Sequence, residues 1–306
     1  MEKHKIIVAY DFHELSDAAL KQAQELAKFV NSGILLVLVL NDELLTLSNM
    51  SKNKTDNTNN NITDAMQKGI AVRLQEVASR VSSETGIPVD YCIEKGKIYD
   101  RILECAKANK ARFIVMGRTS EPTKRQFGPN AMLVVESASC PVITIPSAAC
   151  KATFKNIVLP IDLTKQTREE VFNAISFGLF FDATIHLVSV IMGGISARQS
   201  RIYKKMQGMK KVIEENGVKC TDKLFKKSHI AIHEVVLKYA KEIHADNLMI
   251  MTHQEISTSD KYIGAVAHQI INESPMPVIS LTSAASARKQ SDKASYWFGK
   301  LFTTKK

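Results

Sequence analysis

The chain has 306 residues, 45% of them hydrophobic and 24% charged, a balance that excludes the disordered class and leaves room for two ordinary domains. Half of its net charge of +10 comes from 286–306, where Arg288, Lys289, Lys293, Lys300, Lys305 and Lys306 stand against Asp292, so the body is only mildly basic and no nucleic-acid partner is predicted. The apolar runs fall far short of the roughly 20 residues a membrane-spanning helix needs; MEKHKIIVAYD has neither the apolar core nor the cleavage site of a signal peptide, which predicts a soluble, cytoplasmic protein.

In chain order, KHKIIVAYD and GILLVLVL are apolar runs of strand length, and SDAALKQAQELAKFV between them repeats apolar residues at helical spacing. The polar stretch 48–61, which contains KNKTDNTNNN, is predicted to be a mobile loop, too Asn-rich to hold a helix. Then follow a helix over AMQKGIAVRLQEVASRVSSETG that stops at Gly86, a strand in PVDYCIEKG and a helix in YDRILECAKANK. The half closes with a buried strand in ARFIVMG, a glycine-bearing loop, a helix from Pro129 to Ser137 and the strand PVITI.

The second half repeats this order: NIVLPID, a helix in TREEVFNAISFGLFF, TIHLVSVIM, a helix over Ala197–Asn216, a weak strand near Val218–Phe225, a helix in IAIHEVVLKYAKEI, DNLMIMT, a helix in VAHQIINES, and PVISL. Asp11 in IIVAYD matches Asp162 in VLPID, and PVITI matches PVISL. The separation shrinks between the two pairs by about the length of the Asn-rich insertion, so the first repeat carries the extra loop. Continuous apolar strands such as IIVA, LLVLVL, FIVM and LMIM suit parallel sheets covered on both faces. The predicted fold is α/β: two tandem Rossmann-like, doubly wound parallel sheets of five strands each, with domains at 1–150 and 151–285 and a basic amphipathic tail at 286–306.

Ligands of such sheets bind at the carboxyl ends of the strands, where strand order reverses. Three segments of the first repeat fall there: Asp11, the end of the second strand at Val39, and the loop from Gly117 to Asn130. With these residues and the paired endings SCPVITI and PMPVISL, the sequence resembles the universal stress protein family over nearly all of 1–283. The resemblance implies an adenine nucleotide alpha hydrolase-like fold and a stress-response or regulatory role. In nucleotide-binding members an Asp after the first strand contacts the adenosine, and a loop of pattern G-x2-G-x9-G-[S/T] cradles the phosphates. Glycines let the backbone approach an anion, and the following helix start offers free N–H groups and a positive dipole end.

Here the loop reads GRTSEPTKRQFGPN. Gly117 matches the first glycine, Ser120 stands at the second, and Gly128 matches the third, followed by Pro129 instead of Ser or Thr. Pro129 suits the first helical turn but removes an N–H and a hydroxyl; Asn130, Lys124 and Arg125 are the residues that could compensate. The resemblance thus implies ATP or AMP at Asp11, Val39, Gly117, Ser120, Gly128, Pro129 and Asn130, with no metal beyond nucleotide-bound magnesium. In the second repeat, THQEISTSDKYIGAV puts Thr252 and Glu255 at the first two glycine positions and keeps only Gly264, so no nucleotide is predicted there.

Each feature has a structural alternative: Asp11 as a loop or helix cap, Gly117 and Gly128 as turn formers. The rival reading is a pseudo-dimeric interaction scaffold that binds no nucleotide, and an adenylate-transferring enzyme is the weaker third. Family members commonly dimerise through their last strands, where Val142/Thr144 and Val278/Ser280 occupy corresponding positions of the alternation; the resemblance thus implies an intramolecular pseudo-dimer, and leaves room for a further homodimer and unnamed protein partners. No catalytic residue is predicted: GxSxG, GxxxxGK[ST] and HExxH are all missing, and the scattered histidines and five cysteines (Cys92, Cys105, Cys140, Cys150, Cys220) show no zinc spacing. The cysteines read as small buried hydrophobes. In the tail, Trp297, Leu301 and Phe302 among lysines suggest docking to an anionic membrane surface or a partner protein, against packing on the second domain.

Overall fold

The computed structural model describes residues 4–40, 58–118, 128–163, 168–191, 201–226, 229–252 and 264–282. Ser120, Lys124, Arg125, Glu255 and the tail lie outside them. The first repeat runs β1 (Lys5–Ala9), α1 (Glu14–Val30), β2 (Gly33–Leu40), α2 (Thr58–Thr85), β3 (Val89–Lys95), α3 (Ile98–Ala108), β4 (Phe113–Gly117), α4 (Pro129–Ser137) and β5 (Val142–Ile145). The second runs β6 (Asn156–Pro160), α5 (Arg168–Phe181), β7 (Thr184–Ile191), α6 (Arg201–Glu215), β8 (Cys220–Lys226), α7 (Ile232–Glu242), β9 (Asn247–Thr252), α8 (Ala265–Glu273) and β10 (Val278–Thr282).

One expectation is corrected. α2 begins at Thr58, inside the Asn-rich stretch assigned to a loop, and takes in Asn59, Asn60 and Asn61. Asparagine is worse than alanine in a helix by no more than about 0.7 kcal/mol. Downstream turns anchored by buried Leu74, Val77, Ala78 and Val81 pass that deficit easily, because extending a nucleated helix is far cheaper than starting one.

All ten strands join one sheet in the order β3-β2-β1-β4-β5-β10-β9-β6-β7-β8. Within each repeat the pairs are parallel. The repeats meet where β5 and β10 pair antiparallel, with Ile143 opposite Ile279, Val142 opposite Ser280 and Thr144 opposite Val278. The pseudo-twofold relation therefore passes through the isoleucine pair, and the two five-stranded units become one surface.

Strand alternation sends side chains to two layers. Ile6, Val8, Leu36, Ile143, Leu159 and Ile279 pack under α1, α2, α5 and α6. Ile7, Val37, Val142, Val158, Leu248 and Val278 pack under α3, α4, α7 and α8. Each layer runs across both repeats. In the first, Phe29 of α1 meets Phe181 of α5 edge-on with centroids 5.2 Å apart, and Phe154 of the connector stacks on Phe181 at 4.3 Å, an arrangement that adds specificity to the apolar burial. The start of β6 is held by Asp246, whose Oδ2 accepts the N–H groups of Lys155 and Asn156, both at 2.8 Å. Pro160 is the last residue of β6, where its missing N–H costs the ladder little.

Candidate functional site

β1 lies between β2 and β4, so strand order reverses across it and the carboxyl ends of the three strands form one crevice. Asp11 follows the end of β1, whose course is extended by the Tyr10 N–H donating to the Val37 carbonyl at 3.0 Å. The exposed Asp11 carboxylate accepts the His13 N–H through Oδ1 at 3.1 Å, and the Asp11 N–H donates to Ser16 Oγ at 3.3 Å. Asp11 therefore shapes the entry to α1 while standing at the crevice. Phe12 turns the chain at φ 64°, and the Arg73 guanidinium from α2 lies 4.1 Å from its ring centroid, a cation–π contact. Beneath them the Tyr10 hydroxyl donates to Asp17; burial first, and that bond second, hold the phenol well above its ordinary range.

Val39 is half-buried near the end of β2 and packs on the α3/α4 side with Ala9. Gly117 ends β4 beneath α1. A Cβ there would stand 2.8 Å from the Leu15 Cβ, so close packing of strand on helix demands the glycine. Gly128 differs: its φ is −62° and an added Cβ would meet only the Arg118 carbonyl at 3.7 Å. Neither its conformation nor packing among the described residues requires glycine there. The same is true of Gly264, at φ −55°, around which no described residue stands within 4 Å of an added Cβ.

The chain leaves β4 and returns at one point, since the Gly128 N–H donates to the Arg118 carbonyl at 3.1 Å. Gly128 is then the N-cap of α4, and Pro129 opens its first turn. Ala131 and Met132 turn their N–H groups onto the Gly128 carbonyl at 3.1 and 3.2 Å. With no N–H on Pro129, Asn130 carries the anion-binding capacity left to this helix start. The structure thus brings Asp11, Val39, Gly117, Gly128, Pro129 and Asn130 to one end of the sheet; Ser120 falls outside the described residues.

Sequence reasoning missed Arg118, although a charge beside Gly117 was visible. Its Nη1 donates to the Asn272 carbonyl at 2.5 Å and reaches the Ser274 carbonyl at 3.4 Å, tying the base of the loop to the carboxyl end of α8. Burial lowers the pKa of this guanidinium. It also misaligned the second loop. Ile114 pairs with Val142 and Leu248 with Val278, so the residue at the place of Gly117 is Met251, and Thr252 stands where Arg118 does. Met251 is buried and accepts the Asn173 amide at Sδ, 3.1 Å away; Thr252 is fully buried and donates to the Leu281 carbonyl at 3.1 Å. Beside Asp162, Lys205 reaches the Leu163 carbonyl at 2.9 Å.

Two described histidines make contacts within the fold. His186 bonds Thr221 Oγ1 at 2.7 Å and Asn156 Oδ1 at 3.3 Å, with its pKa lowered by burial. His233 faces Glu273 at 3.3 Å between α7 and α8. Burial pushes the Cys140 and Cys220 thiols up to about 12, as expected of small apolar fillers. Burial raises the Cys92 thiol as well and pushes that of Cys105 to about 12, and the two sulfurs are 3.9 Å from each other.

The model of the universal stress protein family matches residues 3–146 and again residues 153–281. The chain belongs to the universal stress protein family. As a tandem universal stress protein it is similar in fold to a universal stress protein from Archaeoglobus fulgidus DSM 4304, with TM-score 0.70 and 17% identity over 92% of this chain and 99% of the other. It is also similar to a functionally unknown protein from Pseudomonas aeruginosa PAO1, with TM-score 0.65 and 16% identity over 98% of this chain and 97% of the other. At these identities the likeness speaks to the fold alone. Comparison with curated proteins finds no match. Among the described residues, no helix of this universal stress protein is long and apolar enough to cross a membrane.

Proposed function

We propose that the first repeat binds an adenine nucleotide, ATP or AMP, and that the protein acts in a stress-response or regulatory role rather than as a catalyst. The reading is carried by the placement of Asp11, Val39, Gly117 and the Gly128–Asn130 helix start at one strand-order reversal. Asp11 would hold the ribose hydroxyls, Ala9 and Val39 would flank the base, and the loop closed by Gly128 would receive the phosphates. Gly128 supports this, because its lack of a side chain answers no packing need among the described residues. Any magnesium would arrive with the nucleotide and take its ligands from the phosphates. The second repeat binds none: Met251 fills the place of Gly117 and Thr252 is spent on the Leu281 carbonyl.

A second reading, the nucleotide-free scaffold, draws on Pro129 and on Arg118, whose guanidinium serves the contact between repeats. Calorimetric titration of the full chain with ATP, ADP and AMP, beside an Asp11→Ala variant, separates the two. About one site per chain, lost in the variant, supports the nucleotide reading. No heat at millimolar nucleotide leaves the scaffold.

A further inference from the structure

β3 is an outer strand of the sheet. Cys92 and Glu94 lie two residues apart on it, so both point to the side covered by α3, and Cys105 comes from the middle of α3. The thiol sulfurs are 3.9 Å apart, and the three donor atoms of Cys92, Glu94 and Cys105 all lie within 4.8 Å of one another. They line a cleft of ≈ 380 Å³ with Leu35, Glu104 and Asn109.

We infer that Cys92, Cys105 and Glu94 form a binding site for a thiophilic divalent cation of the zinc class. Two thiolates bonded at about 2.3 Å to one tetrahedral ion stand roughly 3.8 Å apart, close to the 3.9 Å between these sulfurs. A disulfide needs its sulfurs at about 2.05 Å, far closer than the 3.9 Å at which these two stand. Two sulfurs and one carboxylate select against magnesium and calcium, which take oxygen ligands. Three protein ligands leave the fourth position to water on the cleft side. Each thiol gives up its proton to solvent as it binds.

The site does not depend on nucleotide binding, although it adjoins that crevice: Glu94 is the cross-strand partner of Val39, and Cys92 of Val37. Ligand spacing could not reveal it, because one ligand comes from a helix thirteen residues beyond Cys92.

The test is titration of the reduced, metal-free full chain with Co²⁺ under anaerobic conditions. One ion per chain is expected, with thiolate-to-cobalt charge transfer in the near ultraviolet and the visible bands of a tetrahedral ion, both displaced by Zn²⁺. Cys105→Ala and, separately, Cys92→Ser lose at least about half of the charge-transfer intensity, and the double variant loses all of it, while circular dichroism stays that of the parent. Glu94→Gln retains thiolate character but weakens binding by at least about tenfold, and Cys140→Ala changes nothing. Cobalt bound without a thiolate band, a band undiminished by Cys105→Ala, or no binding at micromolar ion overturns the proposal. So does a wild-type chain that forms the Cys92–Cys105 disulfide in air with equimolar Zn²⁺ present.

Discussion

Arg118, one residue beyond the end of β4, places its guanidinium Nη1 2.5 Å from the carbonyl oxygen of Asn272 in the last turn of α8. A cation thus meets the negative end of a helix from the other repeat, at the residue where the candidate phosphate loop departs. Charge-assisted bonds of this kind are worth about 1.5–3 kcal/mol. Arg118→Ala is expected to lower stability by that amount in urea denaturation, and Arg118→Lys to recover part of it.

Gly117 and Gly128 separate packing from binding. Gly117→Ala drives a methyl to within 2.8 Å of Leu15 Cβ and is expected to cost about 1–3 kcal/mol as overpacking. Gly128→Ala, whose nearest neighbour is at 3.7 Å, should stay within about 0.5 kcal/mol of the parent yet weaken nucleotide binding at least tenfold. Equal loss of stability in both variants would contradict this division.

Ile143 and Ile279 face each other across the seam and are fully buried. Each Ile→Ala change is expected to cost about 2–5 kcal/mol. The double variant should depart from the sum by about 0.5–3 kcal/mol, as contacting residues do; strict additivity in a double-mutant cycle would mean the seam does not couple the repeats.

Cys140 supplies a pH dependence. Its folded thiol titrates near 12 against 9.0 for an unperturbed thiol, because burial opposes the thiolate. The stability this represents is complete below pH 9 and is lost as pH rises from 9 towards 12, at up to about 1.4 kcal/mol per pH unit. Urea midpoints at pH 8, 9 and 10 should fall more steeply for the parent than for Cys140→Ala.

The strands and helices could be read from periodicity because buried parallel strands leave apolar runs and their helices leave a 3.6-residue pattern; α4 begins and ends where Pro129 and Ser137 suggested. The crevice could be read because Asp11, Val39 and Gly117 follow three such runs. Three things could not. The helical state of Thr58–Asn61 depends on the packing of turns further along. The equivalence of Met251 with Gly117 depends on register against β10 and β5, which glycine counting cannot supply. The meeting of Cys92 with Cys105 depends on how α3 crosses the sheet, and the reach of Arg118 on how two repeats dock.

The β5–β10 seam also decides how a second chain can attach. Those two strands would be the open rims of the separate halves, and here each has already saturated the other's backbone. An isolated half would offer an unpaired rim and two truncated apolar layers, so half-molecules made by cutting within 146–155 should cling together or precipitate. Among the described residues the intact chain has β3 and β8 at its margins, and those two outer rims are where whole molecules could add to each other strand by strand.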